Sequence, residues 1–298
     1  MDWFLDLRAH GHGGPVGTLK VGDGTKFFDD FSDLFAAVRG RDVILMAHGY
    51  NVNRSHGTQS LNQWKARFHP GDNSVFIGIL WPGDCILPIF IDYVWEGSEA
   101  QKSGKLVGEF VQANFGAAAS LTFISHSLGA RVVLEAIASL ADDARVRELI
   151  LLAAAVEDDT LLHEFADAAG KAARITAVHS MEDHVLQMAY PAGNLLGGLL
   201  ERGDPNVKAA LGRVGAADPV AANIVVDPML PVSWDYGHTD YLSTDSPGSE
   251  YEQPVKIPET YGDPEPPETP PDIEQHNQWK PCWSPAFATT RWMQPPRN

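Results

Sequence analysis

Six short runs of almost uninterrupted apolar residues constrain the fold of this chain more than any other feature. They are rich in Val, Ile and Leu, and they span residues 43–47, 75–81, 121–125, 149–156, 175–179 and 224–227. Continuous rather than alternating apolar runs are typical of strands buried on both faces, as in a parallel sheet covered by helices. The segments between them have helical spacing: 60–68, 96–115, 128–141, 158–172 and 206–214. We therefore predict an α/β fold with a doubly wound, mainly parallel sheet.

The two ends of the chain differ from this alternating region. Residues 3–8 and 16–21 predict an edge hairpin, and residues 29–38 predict a helix before the first parallel strand. More than half of the prolines lie after residue 246, and proline fixes φ and removes a backbone donor. We therefore predict a catalytic domain over residues 1–245 and an irregular, acidic, proline-rich arm over residues 246–298.

Three tryptophans near the end of the arm bear on where it lies: Trp279, Trp283 and Trp292. Large aromatic side chains are costly to leave in water and are rare in disordered tails. We expect the arm to pack on its own domain or on a second subunit, which would make the protein a homo-oligomer. The alternative is a disordered acidic tail.

The bulk composition excludes several partners. The chain of 298 residues has a net charge of −17, which argues against nucleic acid or an anionic membrane as the main partner. No apolar run approaches the roughly 20 residues that span a bilayer, and the acidic N-terminus does not resemble a signal peptide. Cys85 and Cys282 are too few for a disulfide framework or a zinc site. We expect a cytoplasmic protein with no cofactor and no metal.

The third apolar run ends in "ISHSLGA", where a strand should turn into a helix. Ser125, Ser127 and Gly129 form Ser-x-Ser-x-Gly, which is similar to the Gly-x-Ser-x-Gly nucleophile elbow of α/β-hydrolases. Small residues two before and two after the nucleophile let strand and helix pack closely. We therefore predict Ser127 as the nucleophile, Ser125 as a small packing residue and His126 as an exposed turn residue.

The first parallel strand ends in "AHGYNV", in the position where α/β-hydrolases place part of the oxyanion hole. Two backbone N–H groups must point at the oxygen that gains charge in the tetrahedral intermediate. We assign these donors to Tyr50 and to Leu128, the residue after the nucleophile.

The general base and its acid should follow the nucleophile in the order Ser, acid, His. Glu182 and Asp183 follow the fifth run, and His238 lies in a loop after the sixth. We predict Asp183 as the acid and His238 as the base. Rival acids after the fourth run stay open: Glu157, Asp158 and Asp159.

Several segments together resemble the DUF900-type branch of α/β-hydrolases, over roughly residues 40–243. They are "AHGYNV", "ILWP", "YVWEGSEAQKSGKLVGEFV", "ISHSLGARVVLEAI", "SMEDHVL" and "GHTDYL". The resemblance implies an α/β-hydrolase fold and a serine hydrolase with Ser127 as nucleophile, Asp183 as acid and His238 as base. The chain departs from the fold's usual pattern after His238, where no clear amphipathic helix follows.

We expect the substrate to be a small carboxylic ester, cleaved through an acyl-enzyme on Ser127. Apolar residues after the second strand predict one wall of an acyl or alcohol pocket: Ile86, Leu87, Phe90 and Trp95. No cluster of Arg or Lys accompanies the predicted triad, which disfavours a phosphate or a multiply anionic substrate. Lipase, thioesterase, amidase, acyltransferase or polyester hydrolase activity on the same fold is an alternative. A hydrolase-like binding module without turnover is another.

Overall fold

The structure, a computed structural model, describes residues 3–9, 15–68, 71–84, 89–187, 208–217, 224–225, 229–230 and 232–241. Within these ranges, the side chains of residues 67–68, 89–96, 224–225 and 234 are not described. The predicted arm and its tryptophans lie outside the described residues, as do both cysteines. The division at residue 245 therefore stays a prediction.

The predicted doubly wound, mainly parallel sheet is confirmed. Its nine described strands are β1 (Trp3–Arg8), β2 (Val16–Gly22), β3 (Phe27–Phe28), β4 (Asp42–Ala47), β5 (Ser74–Leu80), β6 (Ser120–His126), β7 (Val146–Leu152), β8 (Ile175–Val178) and β9 (Ile224–Val225). They lie in the order β3-β2-β1-β5-β4-β6-β7-β8-β9. All neighbours are parallel except β1–β2 and β2–β3, so the predicted N-terminal hairpin extends one edge.

Helices connect the parallel strands. They are α1 (Ser32–Val38), α2 (Arg54–Phe68), α3 (Ile89–Asn114), α4 (Gly129–Ala138), α5 (Ala166–Lys171) and α6 (Leu211–Val214). Among the described residues, no helix combines the length and apolar character needed to cross a bilayer. The predicted helix over 158–172 is confined to α5, because three-residue turns occupy the preceding segment: the Thr160 N–H donates to the Glu157 carbonyl, for example.

The strand order places β4, β6 and β7 in the middle of the sheet, where both faces are covered. Their residues are almost all buried, as are the largest core side chains, which include Phe4, Trp64, Trp81, Phe123 and Tyr241. Because β4 to β8 are parallel, the loops after them all emerge at one edge of the sheet. That edge is where open α/β sheets bind ligands.

Candidate active site

Ser127 lies between β6 and α4 in a strained turn, with a φ of 52°. A positive φ is uncommon for a residue other than glycine and costs about 1–3 kcal/mol, a strain that clusters at functional sites. Two backbone hydrogen bonds hold the turn to the end of β7 and to the chain that follows it. The Ser127 N–H donates to the Leu152 carbonyl at 3.0 Å, and the Ser127 carbonyl accepts from the Ala155 N–H at 3.1 Å.

Two glycines let the loop after β4 approach this turn. A Cβ on Gly129 would lie 2.4 Å from the His48 carbonyl oxygen, and one on Gly49 would lie 3.0 Å from the Ser127 Cβ. The contact at Gly129 is closer than real Cβ atoms show, so this position needs glycine, whereas a Cβ on Gly49 would require its neighbours to shift by a few tenths of an ångström. Ser125 is fully buried, and its hydroxyl has no partner among the described residues, in keeping with a packing role.

The structure brings the three predicted triad side chains together. The His238 Nε2 lies 2.9 Å from the Ser127 Oγ, and the His238 Nδ1 lies 2.8 Å from the Asp183 Oδ2. Asp183 is fully buried, and its Oδ1 accepts a bond of 2.8 Å from the Leu186 N–H. Arg213 donates to the Asp183 backbone carbonyl at 2.9 Å. These bonds fix the carboxylate so that it faces the imidazole.

The rival acids have other partners. Glu157 and Asp159 both accept from the Lys208 ammonium, at 2.9 and 3.1 Å. Burial raises the pKa of Asp158, and the neighbouring Asp159 raises it further. Among the described contacts of His238, the only carboxylate is that of Asp183.

The expectation of an exposed His126 is wrong. Its side chain is buried at the end of β6, with a ring centroid 4.9 Å from that of His238. The His126 Nε2 lies 2.8 Å from the His238 backbone carbonyl, which can only accept, so this nitrogen carries the proton. β6 runs to His126, and the loop that carries His238 covers the strand's end. The feature of the sequence that could have indicated this burial is that His126 directly follows the apolar run of a buried strand.

Two histidines around Ser127 are neutral in the folded protein. Burial lowers the pKa of His48 to about 3, and the nearby Arg8 charge contributes to this. Burial also lowers the pKa of His126 to about 3, with a further contribution from His238. These two histidines therefore add no positive charge to the walls of the site near neutral pH.

These two lowered pKa values predict that the protein loses stability in mild acid. The unfolded chain binds protons at both histidines below about pH 6.5, whereas the folded chain binds them only near pH 3. The free energy of unfolding should therefore fall as the pH drops through this window, by roughly 2 kcal/mol per histidine at pH 5. Urea denaturation at pH 7, 6 and 5 measures this.

A buried and an exposed histidine provide the matched pair for this test. His126→Gln should flatten the dependence of unfolding free energy on pH. His163→Gln, at a site whose side chain is 69% exposed, is the matched surface control. Identical pH dependence in His126→Gln and the parent protein would contradict the assignment of a neutral, buried His126.

The two predicted oxyanion donors belong to segments that adjoin Ser127. Leu128 directly follows the nucleophile and is 2% exposed, and among the described residues its N–H has no acceptor. Tyr50 lies in the loop after β4 and lines the same cavity as Ser127. The next residue, Asn51, has a φ of 59°, so this loop also turns sharply beside the site.

A small cavity of about 40 Å³ opens beside the triad. Its walls are the loop after β4, the histidines of the site and three residues of α2: Ser60, Leu61 and Trp64. Sequence reasoning missed the α2 wall although these three residues lie within the predicted helix 60–68, because helical spacing does not show which residues of α2 face the cavity. The predicted wall stays a prediction, since Ile86 and Leu87 lie outside the described residues and the side chains of Phe90 and Trp95 are not described.

No charged lysine or arginine lines this cavity in the described part of the chain. Arg131, on α4, instead pairs with Glu164 through two bonds of 2.6 and 3.1 Å. The described residues also contain no group of three or more His, Cys, Asp or Glu side chains arranged to hold a metal ion.

Comparison with known proteins places the chain in a family. Residues 26–220 match the model of DUF900, described as alpha/beta hydrolase of unknown function. Among solved structures, the ydeN gene product from B. subtilis is similar at 18% identity, over 48% of this chain and 73% of that chain, with a TM-score of 0.28. So weak a likeness carries no argument. No curated protein sequence matches the chain.

The family match extends over well over half of the chain. It includes β4 to β8 together with Ser127 and Asp183, whereas His238 lies beyond it. The resemblance inferred from the sequence motifs is thereby confirmed, and the chain belongs to the DUF900 family of alpha/beta hydrolases.

Proposed function

We propose that the protein is a serine hydrolase that cleaves small carboxylic esters through an acyl-enzyme on Ser127. The observation that carries this proposal is the continuous hydrogen-bonded series from the Ser127 Oγ through the His238 imidazole to the Asp183 carboxylate. A serine hydroxyl is a weak nucleophile unless a base takes its proton, and a base works best when a third group orients it.

In the first half of the reaction, the Ser127 Oγ bonds to the ester carbonyl carbon while its proton moves to the His238 Nε2. The carbonyl oxygen becomes an oxyanion, which accepts hydrogen bonds from the N–H groups of Tyr50 and Leu128. The C–O bond to the alcohol then breaks, and the His238 Nε2 gives its proton to the departing oxygen. Asp183 stabilises the imidazolium that exists between these steps.

In the second half, water attacks the acyl-enzyme while His238 again acts as the base. The acid product leaves with the water's oxygen, and the proton returns to the Ser127 Oγ. Because the described wall of the cavity carries no cationic side chain, a neutral ester suits it better than an anionic substrate. Two-phase release of p-nitrophenol from p-nitrophenyl acetate, with a burst matching the enzyme concentration, would test for the acyl-enzyme.

The size of the cavity predicts a preference for short acyl groups. A water-sized group needs about 10–15 Å³, so 40 Å³ holds about three such groups, which corresponds to an acetyl-to-butyryl chain. We expect kcat/KM for p-nitrophenyl butyrate to exceed that for the octanoate by at least about tenfold. Initial rates over a chain-length series measure this.

Leu61 offers the variant that tests this size limit. Leu61→Ala should enlarge the cavity and move the optimum toward longer chains. Leu140→Ala removes a similar buried side chain just beyond the C-terminal end of α4 and should leave the order of preference unchanged. A parent enzyme that prefers octanoate, or a Leu61→Ala variant with the parent's order, would contradict the placement of the acyl group in this cavity.

A further inference from the structure

A buried arginine joins the loops around the oxyanion hole. Arg8 is the last residue of β1, so it lies at the same edge of the sheet as Ser127, yet it is only 5% exposed. One branch of its guanidinium forms an ion pair with Asp84, in the loop after β5. A charge is costly to bury unless it is paired and hydrogen-bonded, and this pairing meets that requirement.

The other branch of the Arg8 guanidinium contacts the loop after β4. Its Nη2 donates to the Val52 carbonyl and lies 3.3 Å from the His48 Nε2. Guanidinium nitrogens only donate, so the His48 Nε2 must accept. A neutral imidazole that accepts at Nε2 carries its proton on Nδ1. Arg8 therefore favours one of the two tautomers of His48.

That Nδ1 proton bonds to the peptide that ends in the predicted oxyanion donor. The His48 Nδ1 lies 2.8 Å from the Gly49 carbonyl oxygen. In a trans peptide, the carbonyl of one residue and the N–H of the next point in opposite directions, and no cis peptide occurs among the described residues. A Gly49 carbonyl held toward the His48 ring thus requires the Tyr50 N–H to point away from that ring.

Trp81 fixes the position of the His48 ring and backbone. The Trp81 Nε1 donates to the His48 carbonyl at 2.8 Å, and the two rings stack with centroids 5.6 Å apart. Gly49 itself lies close to Ser127, since a Cβ built on it would lie 3.0 Å from the Ser127 Cβ. The contacts of the His48 ring and carbonyl thus hold the Gly49–Tyr50 peptide beside the nucleophile.

We infer that Arg8 and His48 are positioning residues that aim the Tyr50 N–H at the oxyanion, with Arg8 setting the tautomer through which His48 holds the Gly49 carbonyl. This inference rests on the proposed function. Neither side chain is required to touch the substrate's reacting atoms. Their effect should therefore fall mainly on the transition state, in which the oxyanion exists, although His48 also lines the proposed acyl cavity.

Two variants of His48 distinguish the contribution of its Nδ1 hydrogen-bond donor from the contribution of its packing. Asparagine places an amide N–H close to the position of Nδ1, whereas leucine fills similar space with no donor. His48→Leu should lower kcat by roughly 10- to 100-fold with KM within about threefold, since loss of a whole oxyanion donor costs 10²–10³-fold. His48→Asn should recover most of that loss. Equal kcat in the leucine variant and the parent would overturn the inference.

The inhibition constant of a transition-state analogue distinguishes a role of His48 in aiming the Tyr50 N–H from a purely structural role. A trifluoromethyl ketone forms a hemiketal oxyanion on the serine, so its inhibition constant in His48→Leu should rise by the same factor as kcat/KM falls. An unchanged inhibition constant beside a lowered kcat would also overturn the inference. Thermal melts of each variant exclude unfolding as the cause of a loss.

The role of Arg8 is tested by determining which tautomer His48 adopts with and without the arginine. Arg8→Met combined with Asp84→Asn removes both charges together, so no unpaired charge is left buried. Nitrogen NMR of the histidine side chains should show the His48 proton on Nδ1 in the parent and a shift toward Nε2 in the double variant, with a matching fall in kcat. A parent protein with the proton on Nε2, or a double variant with unchanged tautomer and kcat, refutes the role of Arg8.

These outcomes are distinguishable from failure of the proposed function. If the parent protein hydrolyses no ester and takes no fluorophosphonate label, the proposed function fails, whatever the tautomer of His48. If the parent turns over normally and the variants do too, only the positioning of Tyr50 by Arg8 and His48 fails.

Discussion

Replacement of Ser127 by alanine is expected to lower kcat for p-nitrophenyl butyrate by about 10⁴-fold or more. The Ser127 Oγ is the atom that would bond to the acyl group, and the His238 Nε2 lies 2.9 Å away to take its proton. Removal of this oxygen leaves only the rate that the oxyanion donors and substrate binding supply. Steady-state rates, with the folded fraction checked by a thermal melt, measure the effect.

Ser125→Ala is the matched control for this variant. Ser125 is two residues earlier on the same strand, is fully buried, and has a hydroxyl without a described partner. Its replacement should leave kcat within about threefold of the parent value. If Ser125→Ala abolished activity and Ser127→Ala preserved it, the assignment of the nucleophile would be wrong.

Replacement of Asp183 by asparagine is expected to lower kcat by roughly 10³- to 10⁴-fold. The carboxylate accepts from the His238 Nδ1 at 2.8 Å and thereby keeps Nε2 free to act as the base. An asparagine amide can instead donate to Nδ1, which moves the imidazole proton to Nε2 and prevents it from taking the proton of Ser127. The geometry of the site should change little, because asparagine has nearly the same shape.

The neighbouring and rival carboxylates supply the controls for Asp183. Glu182→Gln and Asp158→Asn should each keep kcat within a few-fold of the parent, since neither carboxylate has a described contact with His238. A loss of 10³-fold in Asp158→Asn, with Asp183→Asn active, would move the acid to the end of β7.

The mainly parallel sheet could be predicted because its central strands are buried on both faces. Runs such as residues 43–47 and 121–125 admit few interpretations other than parallel strands, and they match β4 and β6 closely. The helices after β7 and β8 were predicted too long. After β7 the sequence has helical spacing, but hydrogen-bonded turns form around Asp159 instead of a helix. Intrinsic helix propensity is too weak to decide between these two structures.

The proximity of the three proposed triad residues could be predicted for a similar reason. Ser127, Asp183 and His238 each follow a strand of one parallel sheet, and the carboxyl ends of such strands meet at one edge. Topology alone thus brings together side chains that are 55 and 111 residues apart.

The supporting residues were missed because their roles depend on contacts that no local pattern encodes. Arg8 reaches His48 across 40 positions of sequence, through a strand that reads only as part of a hairpin. In the sequence His126 resembles a turn residue, and only its contact with the loop that carries His238 shows that it is buried. Trp64 fits the ordinary spacing of apolar residues along a helix, and only the packing of α2 shows that it lines the cavity.

The central claim is that Ser127 is an activated nucleophile, and covalent labelling tests it most directly. The parent protein would be incubated with a fluorophosphonate, digested, and mapped by mass spectrometry, with Ser127→Ala and Ser125→Ala treated in parallel. We expect one phosphonate per chain on Ser127 in the parent and in Ser125→Ala, and none in Ser127→Ala. Label on Ser125, or a folded parent protein that takes no label, would contradict the claim.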